Sequence, residues 1–163
     1  MTQNNYADFD VPQNLKFKTH DIIRLGNFNC TAQIAAENFA GVLQAPNKII
    51  KAAVELSFSV TPKDIIVAGQ ISGLREVECA RCLKHVTQPF SADFTQTYST
   101  KLEIIDIMYV VVQTLALTEE IRFLCAPTCK GLCPRCGRDL NDGPCGCKPE
   151  NLSPFAVLKG KFK

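Results

Sequence analysis

The segment Val-Glu-Leu-Ser-Phe-Ser-Val, residues 54–60, alternates apolar and polar residues along its whole length. Successive side chains of a β-strand point to opposite faces, so this pattern predicts a strand with one buried face. The following Thr-Pro-Lys-Asp, residues 61–64, has the composition of a turn. Ile65, Val67 and Ile71 continue as a second strand, and the short connection favours an antiparallel hairpin.

Strand character extends outward from this hairpin in both directions. Leu74 and Val77 lead into Cys79, and another strand follows Cys82, with its apolar positions at Val86, Phe90, Phe94 and Tyr98. A Cys-x-x-Cys motif therefore lies where one strand turns into the next. On the N-terminal side, residues 15–18 predict a short strand, whereas residues 19–50 fit neither the strand period nor the helix period clearly.

Residues 104–117 form the most apolar stretch of the chain. The stretch is too short to span a bilayer and is interrupted by Asp106 and Gln113, so it predicts a core helix and not a membrane span. The middle of the chain is therefore predicted to be an antiparallel meander with one or two helices, an α+β fold.

Past Cys125 the composition changes to Cys, Gly, Pro, Arg and Asn, with too few large apolar residues to build a core. Eight of the nine cysteines fall into short-spaced motifs. These are Cys79 and Cys82, then Cys125, Cys129, Cys133 and Cys136, then Cys145 and Cys147. A Cys-x-x-Cys turn can direct two thiolates at one zinc ion, and tetrahedral zinc needs two such pairs. The pattern predicts one or two zinc ions.

Two ligand pairings are open. The preferred one places Cys79 and Cys82 with Cys125 and Cys129 on one metal, and the last four motif cysteines on another. The rival is a single zinc ribbon of Cys79, Cys82, Cys133 and Cys136. Cys30 is interpreted as a small buried residue, and His85 as a surface residue or, less simply, as a replacement ligand.

Other cysteine chemistry is less well supported. The spacings match no established iron–sulfur motif, and a redox Cys-x-x-Cys opens a helix, whereas Cys79 and Cys82 lie between strands. The polar N-terminus offers no secretion signal, which favours the reducing cytosol over a disulfide-bonded protein. No phosphate loop or hydrolase motif is present, and a site closed by four thiolates supports structure, so a non-enzymatic protein is expected.

The predicted organisation has four parts: a flexible N-terminus over residues 1–14, a mainly antiparallel β domain over 15–122 with a helix near 104–117, a zinc-binding module over 123–150 docked on the sheet, and a basic amphipathic tail over 151–163. Residues 122–163 carry eight Lys/Arg against three Asp/Glu. Each zinc held by four thiolates adds two negative charges, so this excess only weakly indicates an anionic partner.

The cysteine motifs resemble those of the large ribosomal RNA subunit accumulation proteins, the YceD-type family, in its cysteine-rich form. The resemblance rests on Cys-Ala-Arg-Cys-Leu at 79–83, on the run from Leu124 to Gly137, on Leu140-Asn141 with Cys145-Gly-Cys147, and on the ending Pro-Phe-Ala-Val-Leu at 154–158.

This resemblance implies a cytoplasmic role in ribosome biogenesis, with large-subunit ribosomal RNA or a precursor particle as partner. Candidate RNA contacts are basic residues displayed by the cysteine motifs; they are Arg81, Lys130, Arg135, Arg138 and Lys148. A protein adaptor or holder for a ribosomal protein is the alternative, and a thiol redox protein is the third. No membrane and no small-molecule substrate are expected as partners.

Overall fold

A computed structural model describes residues 14–147. In chain order its elements are β1 (Lys16–Lys18), α1 (Thr19–Leu25), β2 (Phe28–Ile34), a 3-10 turn (Ala36–Phe39), β3 (Lys48–Val60), β4 (Asp64–Glu78), β5 (His85–Ser99), β6 (Ile104–Asp106) and α2 (Met108–Leu117).

The four longer strands form one antiparallel sheet in the order β2-β3-β4-β5. The predicted hairpin is confirmed, since Val60 pairs with Ile65 across the turn between β3 and β4. At the far end of β4, Glu78 pairs with His85 of β5, so that residues 79–84 form the next reversal. The predicted fold class, an antiparallel meander with helices, is confirmed.

One face of this sheet is buried because the alternate apolar residues of the central strands all point to that face. Val54, Leu56 and Phe58 are each at most 2% exposed. The ring of Phe58 stacks on Phe28 at 4.5 Å between centroids and meets Phe17 of β1 at 5.2 Å. Side chains of α1, β6 and α2 join the same hydrophobic cluster. The sheet half of the molecule therefore has a continuous apolar core.

The helix predicted near residues 104–117 begins later than expected. Ile104, Ile105 and Asp106 form β6, which pairs antiparallel with β1, and the helix starts only at Met108. The prediction was wrong for these three residues because two neighbouring isoleucines suit a strand as well as a helix. Pairing with β1 buries Ile105 completely.

Parts of three predicted segments lie outside the described residues: 1–13 of the N-terminus, 148–150 of the cysteine-rich module, and the whole tail over 151–163. The domain boundaries remain predictions. Within residues 14–147, neither helix combines the length and apolar character needed to cross a bilayer.

Candidate metal centres

The first cysteine group combines the reversal between β4 and β5 with the segment that follows α2. The Sγ atoms of Cys79 and Cys129 are 3.9 Å apart, and those of Cys82 and Cys125 are 3.6 Å apart. Four sulfurs at 2.3 Å from one tetrahedral zinc lie about 3.8 Å from each other, whereas a disulfide needs about 2.05 Å. The group therefore fits a tetrahedral thiolate metal site.

The backbone shapes the turn that carries Cys79 and Cys82. The Cys79 amide donates to the Lys84 carbonyl at 3.0 Å, and the Leu83 amide donates to the Cys79 carbonyl at 2.9 Å. Leu83 has a φ of +57°, which is unusual for a branched apolar residue. These bonds close the reversal tightly, so that both thiols point to the same side.

Polar contacts fix the segment that brings Cys125 and Cys129 to this turn. The buried Arg75 of β4 donates from Nη1 to the Thr118 carbonyl at 3.0 Å. Glu119 accepts a hydrogen bond from the Asn47 side chain at 3.0 Å, and Asn47 in turn accepts one from the Glu78 amide at 3.0 Å. Since Glu78 directly precedes Cys79, the two halves of the first group are positioned against the same strand end.

The second cysteine group comes from the C-terminal segment alone. Cys133, Cys136, Cys145 and Cys147 place their sulfurs within 4.8 Å of one another. The Cys133 amide donates to the Arg138 carbonyl at 2.8 Å, and an isolated β-bridge pairs Leu132 with Asp139. We define residues 132–141 as the second hairpin, since these contacts fold it back on itself.

Both groups match the preferred pairing and separate the four residues of the rival ribbon, since Cys79 and Cys82 lie in one group and Cys133 and Cys136 in the other. Metal binding by these residues remains a prediction. His85 belongs to neither group and lies 3.6 Å from Glu76 through its Nδ1.

The two groups differ in burial. Cys79, Cys82 and Cys129 are buried, and Cys125 is the most exposed member of the first group. In the second group only Cys133 is buried, while Cys136 is exposed. Solvent and competing chelators therefore reach the second group more easily.

The thiols of the first group differ in pKa. Although burial raises it, the pKa of Cys79 falls to about 6 because the backbone amides of Cys125, Cys82 and Arg81 donate to its sulfur. The neighbouring thiols Cys129 and Cys82 raise the pKa of Cys125 to about 12. Without a cation, four thiols at this distance cannot all ionise at neutral pH, whereas a divalent ion removes the repulsion.

The thiols of the second group also differ in pKa. Backbone amides of Cys136 and Arg135 lower the pKa of Cys133 to about 6. The thiols of Cys136 and Cys145 raise the pKa of Cys147 to about 12. Each group thus has at least one thiol with a lowered pKa that could bind a metal first, and at least one with a raised pKa that ionises only as the metal is bound.

The predicted RNA-contacting residues surround these groups. Arg81, Lys130, Arg135 and Arg138 are exposed, and Lys148 lies outside the described residues. Arg81 donates from Nη1 to the Cys129 carbonyl at 2.8 Å, which fixes part of its guanidinium next to the first group. Arginine keeps further donors on its other nitrogens.

One residue beside the thiols was not singled out by the spacing of the motifs. Asn141 donates from Nδ2 to the Cys129 Sγ at 3.4 Å, and this bond is the largest influence lowering the pKa of Cys129. Leu140-Asn141 is part of the family resemblance, but the position of Asn141 twelve residues after Cys129 does not predict a contact with that thiol, because an asparagine in a polar loop is ordinarily a turn residue.

Comparison with known proteins finds a family model that matches the cysteine-rich segment. The family model "Large ribosomal RNA subunit accumulation protein YceD" matches residues 99–160. This match covers 62 of the 163 residues, and we refer to these residues as the YceD-type segment. The resemblance predicted from the cysteine motifs is confirmed.

The relatives match stretches of different length. The "Large ribosomal RNA subunit accumulation protein YCED homolog 1, chloroplastic" of Zea mays is 42% identical over 60 residues, which are 36% of this chain and 20% of the maize protein. Two proteins named as uncharacterized, from Mycobacterium bovis and Mycobacterium tuberculosis, are each 27% identical over 118 residues, which are 62% of this chain and 56% of theirs.

The chain therefore aligns with between a fifth and just over half of the length of these relatives. No solved structure matches it significantly. The YceD-type segment contains six of the eight motif cysteines, while Cys79 and Cys82 come from the sheet outside it.

Proposed function

We propose that this protein is a non-enzymatic factor for the accumulation or processing of large-subunit ribosomal RNA, and that its cysteines hold two structural zinc ions. The observation that carries the proposal is the match of residues 99–160 to the YceD family, over the segment that supplies all of the second cysteine group and half of the first. The printed name of the maize relative refers to the same role.

Zinc is the metal that the donor set favours. Both groups offer four cysteine sulfurs within 4.8 Å of one another, and cysteine thiolates are soft ligands suited to zinc. Four protein ligands leave no open position for a substrate or a water molecule, so the proposed zinc ions support the fold and perform no hydrolysis. This closed coordination is the physical basis for proposing a protein that is not an enzyme.

Contact with RNA is proposed through the exposed cations around the cysteine groups. Residues 122–147 carry four Lys/Arg against two Asp/Glu, and two zinc–thiolate centres would contribute four negative charges. The loaded segment is therefore not strongly basic as a whole. Contacts must come from individual side chains held in place, such as Arg81, and not from a diffuse positive field.

The cellular role can be tested by removing the gene and measuring precursor and mature large-subunit RNA. We expect mature RNA to fall and the precursor to accumulate, with recovery on expression of the wild-type chain. A Cys133→Ser chain should fail to restore RNA levels, whereas Cys30→Ser, outside both groups, should restore them. Unchanged RNA levels after deletion would refute the proposed role.

The RNA contact can be tested separately with matched charge changes. Lys130→Gln with Arg138→Gln should weaken co-sedimentation with large-subunit precursors and lower the salt dependence of binding by about one unit of log–log slope per lost phosphate contact. Lys63→Gln with Lys101→Gln removes the same charge from exposed positions at the β3–β4 end of the sheet and should have little effect. Equal effects of the two variants would indicate only a general charge effect.

A protein adaptor is the second candidate, and exposed apolar side chains favour it. Leu117 at the end of α2 is 87% exposed and Ile121 is 98% exposed. Pull-down of ribosomal particles after nuclease treatment separates the candidates, because partners that survive digestion support the adaptor. Leu117→Ser with Ile121→Ser should then abolish capture, and loss of all partners with the RNA would rule the adaptor out.

The compartment is proposed to be the cytoplasm. The name of the maize relative assigns that protein to the chloroplast. Both compartments contain ribosomes, so localisation of a tagged chain in its own host decides between them.

A further inference from the structure

The two cysteine groups are joined by only three residues, Lys130, Gly131 and Leu132, between Cys129 of the first and Cys133 of the second. Contacts hold this connection from both sides. The Leu132 amide donates to the Arg81 carbonyl at 3.1 Å, and the Leu140 amide donates to the Gly131 carbonyl at 2.9 Å. The turn of the first group and the second hairpin therefore hold the same short piece of chain.

Asn141 makes a more direct connection. It lies in the sequence between two cysteines of the second group, Cys136 and Cys145, yet its Nδ2 donates to a sulfur of the first group, that of Cys129, at 3.4 Å. Its Oδ1 accepts the Lys130 amide at 2.8 Å. Its Nδ2 also donates to Asp139 Oδ1 at 2.7 Å.

The orientation of this amide is fixed by its partners. The Lys130 amide can only donate, so the oxygen of Asn141 must face it. The carboxylate of Asp139 can only accept, so the nitrogen must face that side. A reversed amide would lose both bonds, and the remaining N–H hydrogen is therefore directed at the Cys129 sulfur.

An ion pair also joins the second hairpin to the turn of the first group. Asp139 Oδ2 of the second hairpin lies 3.9 Å from the Nζ of Lys84, which follows the turn of the first group. The Lys84 side chain is 61% exposed and that of Asp139 only 17%. A long pair with one exposed partner contributes little on its own, so Asn141 provides the stronger of these two side-chain contacts between the groups.

We propose that Asn141 is a positioning residue that couples the two metal centres, so that zinc in the second centre raises the affinity of the first. The second hairpin has few apolar side chains to hold it, and its shape depends on the metal at Cys133 and Cys136. With that metal bound, the amide of Asn141 stays directed at Cys129 and orients its thiolate. Groups that orient metal ligands in this way typically change metal affinity by about 10–100-fold.

The coupling must be reciprocal. If zinc in the second centre strengthens the first by some factor, zinc in the first strengthens the second by the same factor. The inference rests on the proposed zinc binding, and the experiment distinguishes the two. A wild-type chain that binds no zinc refutes the zinc proposal, whereas two ions bound with independent affinities refute the coupling alone.

The experiment titrates the metal-free full-length chain with zinc against a chromophoric chelator. Asn141→Asp keeps the oxygen that accepts from Lys130 but removes the N–H donor to sulfur. We expect it to weaken the first centre about 10–100-fold. Asp142→Ala, at the exposed neighbouring position, is the control and should leave both affinities unchanged. Circular dichroism of the sheet verifies that each variant is folded.

A double-mutant cycle excludes a purely local effect. Cys136→Ser with Cys145→Ser disables the second centre, and in that background Asn141→Asp should change the affinity of the first centre less than twofold. An equal loss in both backgrounds would overturn the coupling, because Asn141 would then act without the second metal.

The hydrogen bond itself has a spectroscopic signature. In protein loaded with cadmium-113, the side-chain amide proton of Asn141 should show scalar coupling to the metal through the Cys129 sulfur. That coupling should vanish when the second centre is disabled. Its absence from the fully loaded wild-type protein would refute the proposed contact.

Discussion

The sheet and the cysteine-rich segment are ordered by different forces. The sheet buries one large cluster that extends from Phe17 in β1 to Leu115 in α2. The second cluster has three buried members, Cys79, Cys82 and Cys129, with Leu124 and Leu132 packed beside them. The first region can offset its lost chain entropy with buried apolar surface, whereas the second has too little surface to do so.

This difference predicts which change destabilises each region. A change of volume in the sheet should cost stability but leave the metal sites intact, whereas loss of metal should unfold the cysteine-rich segment and leave the sheet in place. The first cysteine group lies at the boundary, because Cys79 and Cys82 follow β4 directly, whereas Cys125 and Cys129 belong to the segment after α2.

Removal of metal should produce the largest effect. Binding of structural zinc to small domains provides roughly 10–16 kcal/mol at neutral pH, so residues 125–147 should unfold on chelation while the sheet persists. Amide hydrogen exchange on the protein before and after chelation measures this, with protection lost in the cysteine-rich segment and kept in β3 and β4.

The matched variants for this prediction are Cys133→Ser and Cys30→Ser. Elemental analysis should find less metal in the first and an unchanged amount in the second. Motif thiols of the wild-type chain should react slowly with an alkylating reagent until chelator is added. Rapid alkylation of Cys79 and Cys82 in the purified protein would instead favour the thiol redox alternative.

Truncation of the sheet core should have the next largest effect. Phe58 is 1% exposed and contacts the rings of Phe17 and Phe28. Phe58→Ala should lower the free energy of unfolding by about 3–5 kcal/mol. Tyr109→Ala, at a 65% exposed position, should change it by less than about 0.5 kcal/mol. Denaturant titration followed by circular dichroism measures both.

The zinc content of Phe58→Ala tests whether the sheet and the cysteine-rich segment are stabilised independently. The folded Phe58→Ala protein should hold as much zinc as the wild type, since no ligand contacts the substituted ring. A parallel loss of zinc and stability would show that the two regions unfold as one cooperative unit.

A smaller effect is expected where the two regions touch. Gly131 has a φ of +75°, and a Cβ there would lie 2.9 Å from the Arg81 carbonyl oxygen. Gly137 has a similar φ of +72° with nothing within 4 Å of the added atom. Both alanine variants carry the backbone strain, so their difference isolates the contact with Arg81.

We expect Gly131→Ala to destabilise the cysteine-rich segment by about 1–2 kcal/mol more than Gly137→Ala, which corresponds to roughly a tenfold difference in zinc affinity. Competition with a chelator measures that difference. Equal affinities would show that the segment can move away from Arg81 without cost.

The sequence predicted those features that depend on periodic patterns. Alternation at residues 54–60 and at Val86, Phe90 and Phe94 gave β3 and β5, because one face of the sheet is buried and the other is not. The short spacing of the cysteines placed them in candidate metal groups, since two thiols on one turn can point the same way.

Features that depend on distant contacts could not be predicted in this way. The alternation of strand β2 is weak because its large apolar residues, Phe28 and Ile34, stand only at its two ends, with the smaller Cys30 and Ala32 between them. The hydrogen bond from Asn47 to Glu119 spans 72 positions in the sequence. Arg75 acts through the fold, and no local pattern distinguishes it from an ordinary polar residue. Asn141 stands in the stretch that carries the family resemblance, but its contact with Cys129 depends on the fold and not on the spacing of the cysteines.

The smallest predicted effect concerns the cysteine that belongs to neither metal group. Cys30 lies in β2 opposite Leu56, is 5% exposed, and has its pKa raised by burial from 9.0 to about 11. Well below pH 9 its thiol is protonated in both the folded and the unfolded chain, and its ionisation does not affect stability. As the pH rises from about 9 to 11, the unfolded chain loses this proton first, and the folded state becomes less stable.

We therefore expect the free energy of unfolding of the wild type to fall by about 1–2 kcal/mol more than that of Cys30→Ala over this range. The comparison uses metal-loaded protein, so that the other eight thiols contribute equally to both chains. Denaturant titrations at a series of values between about pH 8 and about pH 11 give the difference directly. Parallel curves would mean that Cys30 is not held in an apolar environment, and that the sheet core is more open at β2 than its burial indicates.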